Sequence, residues 1–402
     1  MSARAQIDRP SRTPMTQRRL GFAIDAGSPT LDLVFTLKQL KSNALAFVSG
    51  LLLKGCAILG RRPLSLSRTA FAFLGLVALA APARAESEVN LYTTREPGLI
   101  RPLLDAFTKA SGVKVNTVFV DKGLTERVAA EGARSAADVV MTVDIGNLIE
   151  LVDRDLAQPV RSAALEAAVP ASLRDPEGRW FALSTRARVA YADPDLRDLA
   201  GLTYEDLADP KWKGKVCLRA GQHPYNTALI AAYLVKHGEA KTEAWLRGVK
   251  DNLARKAGGG DRDVARDIVA DLCDIGLGNS YYVGLMRSGR GGPEQKKWGE
   301  GIQVVLPTFQ GGGTHVNVSG AVVAKNAPNR DNAVKLLEYL ASDDAQGLYA
   351  KADYEYPVKP GVAADPLLTA LGPLTVDTTP LVEIARNRKA ASLLVDKVGF
   401  DR

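Results

Sequence analysis

From Glu88 to Leu156 the sequence alternates extended apolar runs with segments of helical spacing, and this order restricts the fold more than any other feature of the 402-residue chain. Glu88–Tyr92 reads as a strand. Pro97–Ser111 carries Leu99, Leu103, Leu104 and Phe107 at helical intervals and stops at Gly112. Val113–Phe119 is the next strand, Leu124–Gly132 a helix, and Ala137–Thr142 a strand leading into Ile145–Leu156. A β-α-β-α-β succession begins a parallel sheet with crossover helices. Ligands of such sheets sit beyond the carboxyl ends of the strands, which directs attention to Thr93–Glu96 and Val143–Asp144.

A second cycle follows Tyr191. Lys215–Leu218 and Ile275–Gly278 read as strands, with helices over Asn226–His237, Thr242–Lys250 and Val264–Leu272 between them. Val304–Pro307, the glycine-rich connection Gly311–Gly313 and a strand over His315–Val323 come next. Arg330–Ala341, Ala345–Leu348 and Leu381–Val395 read as helical, and no internal repeat or heptad appears.

The formal net charge of +7 suggests a polyanion partner only until it is divided along the chain. Residues 1–85 hold 12 Lys/Arg against 3 Asp/Glu, which leaves 40 against 42 in residues 86–402. The body has no bulk charge suited to nucleic acid. The basic front end reads instead as an address. Arg61, Arg62 and Arg68 precede the apolar run Thr69–Ala81 and the small-residue exit Pro82–Ala85, which predicts a secretory signal over about 61–85, cut before Glu86. A membrane anchor is the competing reading, but the run is too short for a hydrocarbon layer of roughly 30 Å. Residues 1–60 hold a further apolar stretch, Ala44–Leu53, and nothing that reads as a domain, so residues 1–85 are expected to be a dispensable upstream region plus signal.

The remaining chain exceeds the size at which one core stays comfortable, and two lobes are expected. His223, His237, His315, Cys217 and Cys273 fall at none of the intervals of a zinc site. In an oxidising compartment the two cysteines, each beside a predicted strand, can form one disulfide; two buried thiols are the other reading. No G-x-S-x-G elbow or phosphate loop is present, so neither a hydrolase nor a nucleotide site is indicated. Gly259–Asp263 (GGDRD) reads as a polar turn capped into the next helix by Asp263.

The informative residues are tyrosines. Tyr281 and Tyr282 end the run DIGLGNSYY, and Tyr225 lies in VCLRAGQHPYN, so each follows a strand and the three phenols can converge on one cleft. As phenolates they are hard oxygen donors suited to Fe³⁺; as neutral phenols they stack on a sugar or an aromatic solute, or simply pack. Residue types alone leave these three uses open.

Several segments together resemble the periplasmic iron(III)-binding proteins of bacterial ABC transporters, members of the type 2 periplasmic binding protein class. They are NLYTTR (Asn90–Arg95), ADVVMTVD (Ala137–Asp144), LSTRARVAY (Leu183–Tyr191), VCLRAGQHPYN (Val216–Asn226), ARK (Ala254–Lys256), GGDRD (Gly259–Asp263), NSYYVGL (Asn279–Leu285), GGTHVNVSGA (Gly312–Ala321) and YEYPV (Tyr354–Val358), in family order over residues 88–400. The resemblance implies an α/β fold of type II with a ligand cleft between two lobes joined by two hinge crossings. The first part of lobe 1 is expected over 86–188, lobe 2 over 189–308, and the hinge return with the rest of lobe 1 over 309–402. It also implies a binding protein, not an enzyme, that delivers Fe³⁺ to an inner-membrane permease with a separate ATPase, acting as a monomer in the periplasm.

The family's paired iron tyrosines fall on Tyr281 and Tyr282, and the additional tyrosine of its cyanobacterial-like branch on Tyr225. That branch follows its first strand with an Arg-His-Tyr motif; here the letters are Arg95, Glu96 and Pro97, which removes two donors. Glu96 supplies a carboxylate at the histidine position and is expected as the fourth donor, ahead of Asp144. Three phenolates already neutralise Fe³⁺, so further carboxylates need a cationic offset. Arg186 and Arg188 alternate on one side of their strand, and either both reach the cleft or both anchor the lobe crossing. With Arg95, they are candidates for a synergistic anion such as carbonate. His315 is expected to hydrogen-bond near the crossing, and Tyr92 to belong to the core. A binding protein for another small solute, especially an organic or inorganic anion, is the alternative.

Overall fold

The computed structural model describes residues 87–402; the expected export signal and the residues before it lie outside this range. The first stretch is β1 (Glu88–Thr93), α1 (Pro97–Ser111), β2 (Lys114–Phe119), α2 (Leu124–Glu131), β3 (Val139–Thr142) and α3 (Ile145–Asp153). β1 pairs in parallel with both β2 and β3, as the alternation requires. α1 starts on a proline, whose missing N–H costs nothing in the first turn, and ends where Gly112 turns left-handed at φ 71°. Its buried stripe is Ile100, Leu103, Leu104 and Phe107. Leu99, expected in that stripe, is half-buried and faces the cleft instead.

After β4 (Ala157–Gln158) and α4 (Ala163–Ala168), β5 (Phe181–Ala192) runs twelve residues, all buried. It joins two sheets. From Phe181 to Ala187 it pairs with a late strand, β9, and from Arg188 to Ala192 with β7. The second stretch comprises β6 (Val216–Cys217), α5 (Pro224–His237), α6 (Glu239–Asp251), α7 (Asp261–Val269), β7 (Ile275–Asn279), α8 (Ser280–Arg287), α9 (Pro293–Glu300) and β8 (Gln303–Val305). The chain then returns along β9 (Val316–Ala324), which pairs with β3, β4 and β5. The strand order among the described residues is β2-β1-β3-β9-β5-β7-β6.

The tail carries α10 (Arg330–Leu340), α11 (Asp343–Asp353), β10 (Tyr356–Pro357), α12 (Pro366–Thr369), α13 (Leu381–Arg386) and α14 (Arg388–Val398). The helix expected over Ala345–Leu348 is longer, and that expected over Leu381–Val395 is broken at Asn387. The tail also departs from the expected division, in which all of 309–402 rejoins the first lobe. α14 packs on α5 and α6, and α13 touches both α3 and α5. Gly221 N–H donates to Asp401 Oδ1 at 2.6 Å and Lys250 Nζ to Val398 O at 3.0 Å, while Val395 and Phe400 close over Gly221. The apolar face of the last helix therefore finds its partner in the second lobe.

Cys217 and Cys273 are disulfide-bonded with Cα atoms 5.9 Å apart, the first of the two readings left open above. Closing a loop with a sequence separation of 56 is worth on the order of 4 kcal/mol in the chain-entropy account. The bond ties β6 to the turn before β7, the two strands whose ends lead to the tyrosines.

Candidate functional site

Two helix starts bring the tyrosines together. Pro224 opens α5, and His223 caps it by accepting the Tyr225 N–H on Nδ1 at 3.2 Å. α8 begins after Asn279, so Tyr281 and Tyr282 occupy its first turn, where adjacent side chains can share one opening. The peptide before them is held on both sides. Tyr191 Oη donates to Asn279 O at 2.7 Å, and Asn279 N–H donates to Asp261 Oδ2 at 2.9 Å. Gly278 is required here, because a Cβ would lie 2.1 Å from the Tyr191 ring.

The hydroxyls of Tyr225 and Tyr281 are 3.4 Å apart, and the rings of Tyr281 and Tyr282 lie 4.1 Å between centroids at 34°. All three line a cleft of about 250 Å³, which they share with Glu96, Asp144, Arg219 and Glu355. Burial, reinforced by the neighbouring phenols Tyr225 and Tyr282, holds Tyr281 well above the ordinary tyrosine range. Burial and then Tyr225 push Tyr282 up as well. Both side chains are therefore neutral phenols at neutral pH.

Guanidinium groups surround the cluster. Arg186 and Arg219 each lie 5.1 Å from the centre of the Tyr225 ring, and Arg262 lies 5.2 Å from that of Tyr282. Arg188 is an anchor through both terminal nitrogens, Nη1 donating to Asp261 at 2.7 Å and Nη2 to Asn226 Oδ1 at 2.7 Å, and only its Nε has no partner. Arg186 differs. Only its Nη1 is bonded, to Ser319 Oγ at 3.0 Å, while Nε and Nη2 have no protein partner although the residue is 1% exposed. The sequence placed both arginines on one side of β5, and their tasks diverge there. Arg219 was not singled out from the sequence; its place after a short strand, within VCLRAG, was the available signal.

The opposite wall comes from the first stretch and the tail. Arg95 is buried and bridges Asp353 at 3.1 Å and Glu355 at 2.7 Å, with Ser319 between it and Arg186. Burial pushes the Asp353 carboxyl up to about 7 against the pull of Arg95, whereas at Glu355 the arginines Arg95 and Arg186 outweigh burial and hold the carboxyl below its usual range. Glu355 lines the cleft and was another residue missed from the sequence. Asp144 also lines it, but both oxygens are occupied: Oδ1 caps α3 from Gly146 N–H at 2.9 Å and pairs with Arg388 at 3.3 Å, and Oδ2 accepts from Asn317 at 2.8 Å. Glu96 precedes α1 at the rim, exposed, and its carboxylate makes no capping bond. His315 lies buried at the start of the return, its N–H on Tyr204 Oη at 3.1 Å, and it does not line this cleft. Tyr92 is buried in the core.

Among the described residues no three His, Cys, Asp or Glu side chains gather into a metal-holding group, so the cleft's convergent donors are phenols. A family model described as bacterial extracellular solute-binding protein matches residues 92–347. The chain belongs to this solute-binding protein family. It is 40% identical to iron uptake protein A2 of Synechocystis sp. over 85% of this chain and 99% of that protein. Among solved structures, a Bordetella ferric binding protein is 64% identical, covers 79% of this chain and 100% of its own, and superposes with a TM-score of 0.73. A Trichodesmium protein solved in complex with iron and citrate is 40% identical over 78% of this chain and 100% of its own, also at a TM-score of 0.73. This solute-binding chain thus has the expected α/β architecture, the two-lobed type II periplasmic binding protein fold with its cleft between lobes joined by two crossings.

Proposed function

We propose that the protein captures Fe³⁺ in the periplasm through Tyr225, Tyr281 and Tyr282 and presents it to an inner-membrane permease powered by a separate ATPase. The observation that carries this reading is the convergence of three phenols on one cleft, with two hydroxyls 3.4 Å apart and the third ring tilted against that of Tyr281 at 4.1 Å. Hard, anionic oxygen is the donor type Fe³⁺ prefers, and three phenolates balance its charge. The names of the iron uptake and ferric binding relatives support the same cargo. Ion capture needs no catalysed reaction, so the reading is of a carrier, taken to act as a monomer, and not of an enzyme.

Glu96 is the fourth protein donor in this reading, because its carboxylate is exposed at the rim while that of Asp144 is fully committed. The unpartnered Nε and Nη2 of Arg186 suit a small synergistic anion such as carbonate; Arg95 and Arg188 serve as anchors. Lobe 1 comprises about 86–188, lobe 2 about 189–308, and the return 309–402, with residues 388–402 packed on lobe 2. A hinge so arranged lets a ligand touching both walls select a closed population.

The test is a titration of the purified, metal-stripped protein with ferric citrate. One equivalent should bind and give a visible phenolate-to-iron charge-transfer band that vanishes on denaturation. The free arginine nitrogens favour one second reading, capture of an organic or inorganic anion without metal. A colourless protein that instead binds such an anion tightly supports that reading.

A further inference from the structure

We propose that Asp261, the first residue of α7, is a positioning residue for the tyrosine cluster, holding Arg219 against Tyr225 and fixing the start of the helix that bears Tyr281 and Tyr282. The GGDRD stretch reads from the sequence as a capped turn and as one segment of the family resemblance, and Asp263 does the capping by accepting the Gly260 N–H at 2.7 Å. Asp261 does something else. Its carboxylate is 1% exposed and takes three donors: Arg188 Nη1 at 2.7 Å, Arg219 Nη1 at 3.1 Å and the Asn279 N–H at 2.9 Å.

Each donor leads to the site. Asn279 is the residue before α8, so its N–H sets where Tyr281 and Tyr282 begin. Arg188 continues to Asn226, the neighbour of Tyr225 on α5. Arg219 lines the cleft, 5.1 Å from the Tyr225 ring centre. One carboxylate thus connects both helix starts that supply phenols. Burial opposes its ionisation, but Arg188 and Arg219 outweigh that cost and hold it below the ordinary carboxyl range. Two guanidinium groups on one carboxylate leave a net positive charge behind the phenols. The Arg219 fork stays against the Tyr225 ring only while Asp261 fixes it. The next residue adds a further cation, because Arg262 lies over the Tyr282 ring at 5.2 Å.

This inference rests on the proposed ferric reading, and the test keeps the two apart. Asp261→Asn preserves shape and removes the charge. Asp267→Asn is the control: Asp267 is buried on the same helix but pairs with Arg255 at 2.6 Å and Arg266 at 2.8 Å, neither of which lines the cleft. Three quantities are read for each purified full-length variant: the apo melting temperature, ferric affinity against citrate, and the position of the charge-transfer band. Both variants should melt lower. Only Asp261→Asn should move the band and lose roughly 10- to 100-fold in affinity, the range found for outer partners of metal ligands. Should that variant fail to fold, Arg219→Lys, which keeps the charge but gives up the planar fork, should show the same band shift with a smaller loss. The positioning role is overturned if a coloured wild type accompanies an unchanged band and affinity in Asp261→Asn or, where that variant does not fold, in Arg219→Lys. It is also overturned if Asp267→Asn moves both equally. A wild type that binds no iron overturns the ferric reading and this inference together.

Discussion

The two walls of the cleft solve the problem of burying oxygen donors in opposite ways. The second-lobe wall presents neutral phenols, with Tyr281 6% exposed and needing no counter-ion until a cation arrives. The first-lobe wall presents carboxylates, and its buried ones are already paired: Asp353 and Glu355 with Arg95, Asp144 with Arg388. The contrast follows from desolvation. An unpaired buried carboxylate costs several kcal/mol, whereas a phenol is buried uncharged and ionises when metal replaces its proton. Tyrosine can therefore be preassembled as an empty metal site, and buried aspartate cannot. Of the first-wall carboxylates considered as donors, Glu96 escapes the rule by standing in solvent.

The comparison breaks most sharply at the paired tyrosines. Tyr281→Phe and Tyr282→Phe keep the ring volume and remove the donor, so each should lose more ferric affinity than the ~100-fold attached to an outer partner, with little change in melting temperature. Tyr225→Phe should lose as much or somewhat less. Citrate competition followed at the visible band measures all three, and wild-type affinity in both paired variants would show the phenols to be packing.

Acidity should come next in size. Protons compete with iron for the phenolates, so protonation favours the apo protein and affinity falls as pH falls. Each phenol that ionises on binding contributes about a tenfold loss per pH unit wherever it is protonated in the apo form. Titration with citrate speciation held known checks the slope, and a flat profile would contradict phenolate donors.

The first wall should give the smallest effects, and of two kinds. Glu96→Gln should weaken iron binding by about a single decade or less, as expected of a rim donor beside three stronger ones, and leave the melting temperature unchanged. Asp144→Asn should do the reverse. It gives up an ion pair and weakens a cap, costing roughly 0.5–2 kcal/mol of stability, and leaves ferric affinity in place. Thermal melts and competition titrations on the same preparations distinguish the two; equal affinity losses would erase the distinction between committed and free carboxylates.

The fold was legible because its signals are local. Apolar spacing in Pro97–Ser111, the proline and glycine at its ends and the short apolar runs on either side determine a parallel sheet without reference to distant residues. The tyrosines were legible as a set through resemblance, and their position after strands through the order of apolar runs, whereas the helix Ser280–Arg287 that carries two of them was not read from the sequence. The cap role of Asp144 has a local signature, an aspartate directly before Ile145 and an apolar helix. What stayed hidden depends on long-range partners. Asp144 meets Asn317 across 173 positions, and Arg95 meets Glu355 across 260, so neither pairing leaves a local pattern. The placement of α14 on the second lobe was hidden for the same reason, since a helical stripe states that it will be buried and not against what.

The most direct test is a crystal structure of the protein loaded with ferric citrate, with anomalous scattering collected on both sides of the iron edge. A single anomalous peak should lie among the hydroxyl oxygens of Tyr225, Tyr281 and Tyr282, with the oxygen from Glu96, an anion or water completing the shell visible beside it. An iron peak elsewhere, or no peak with an organic molecule stacked on the three rings, would contradict the phenolate site.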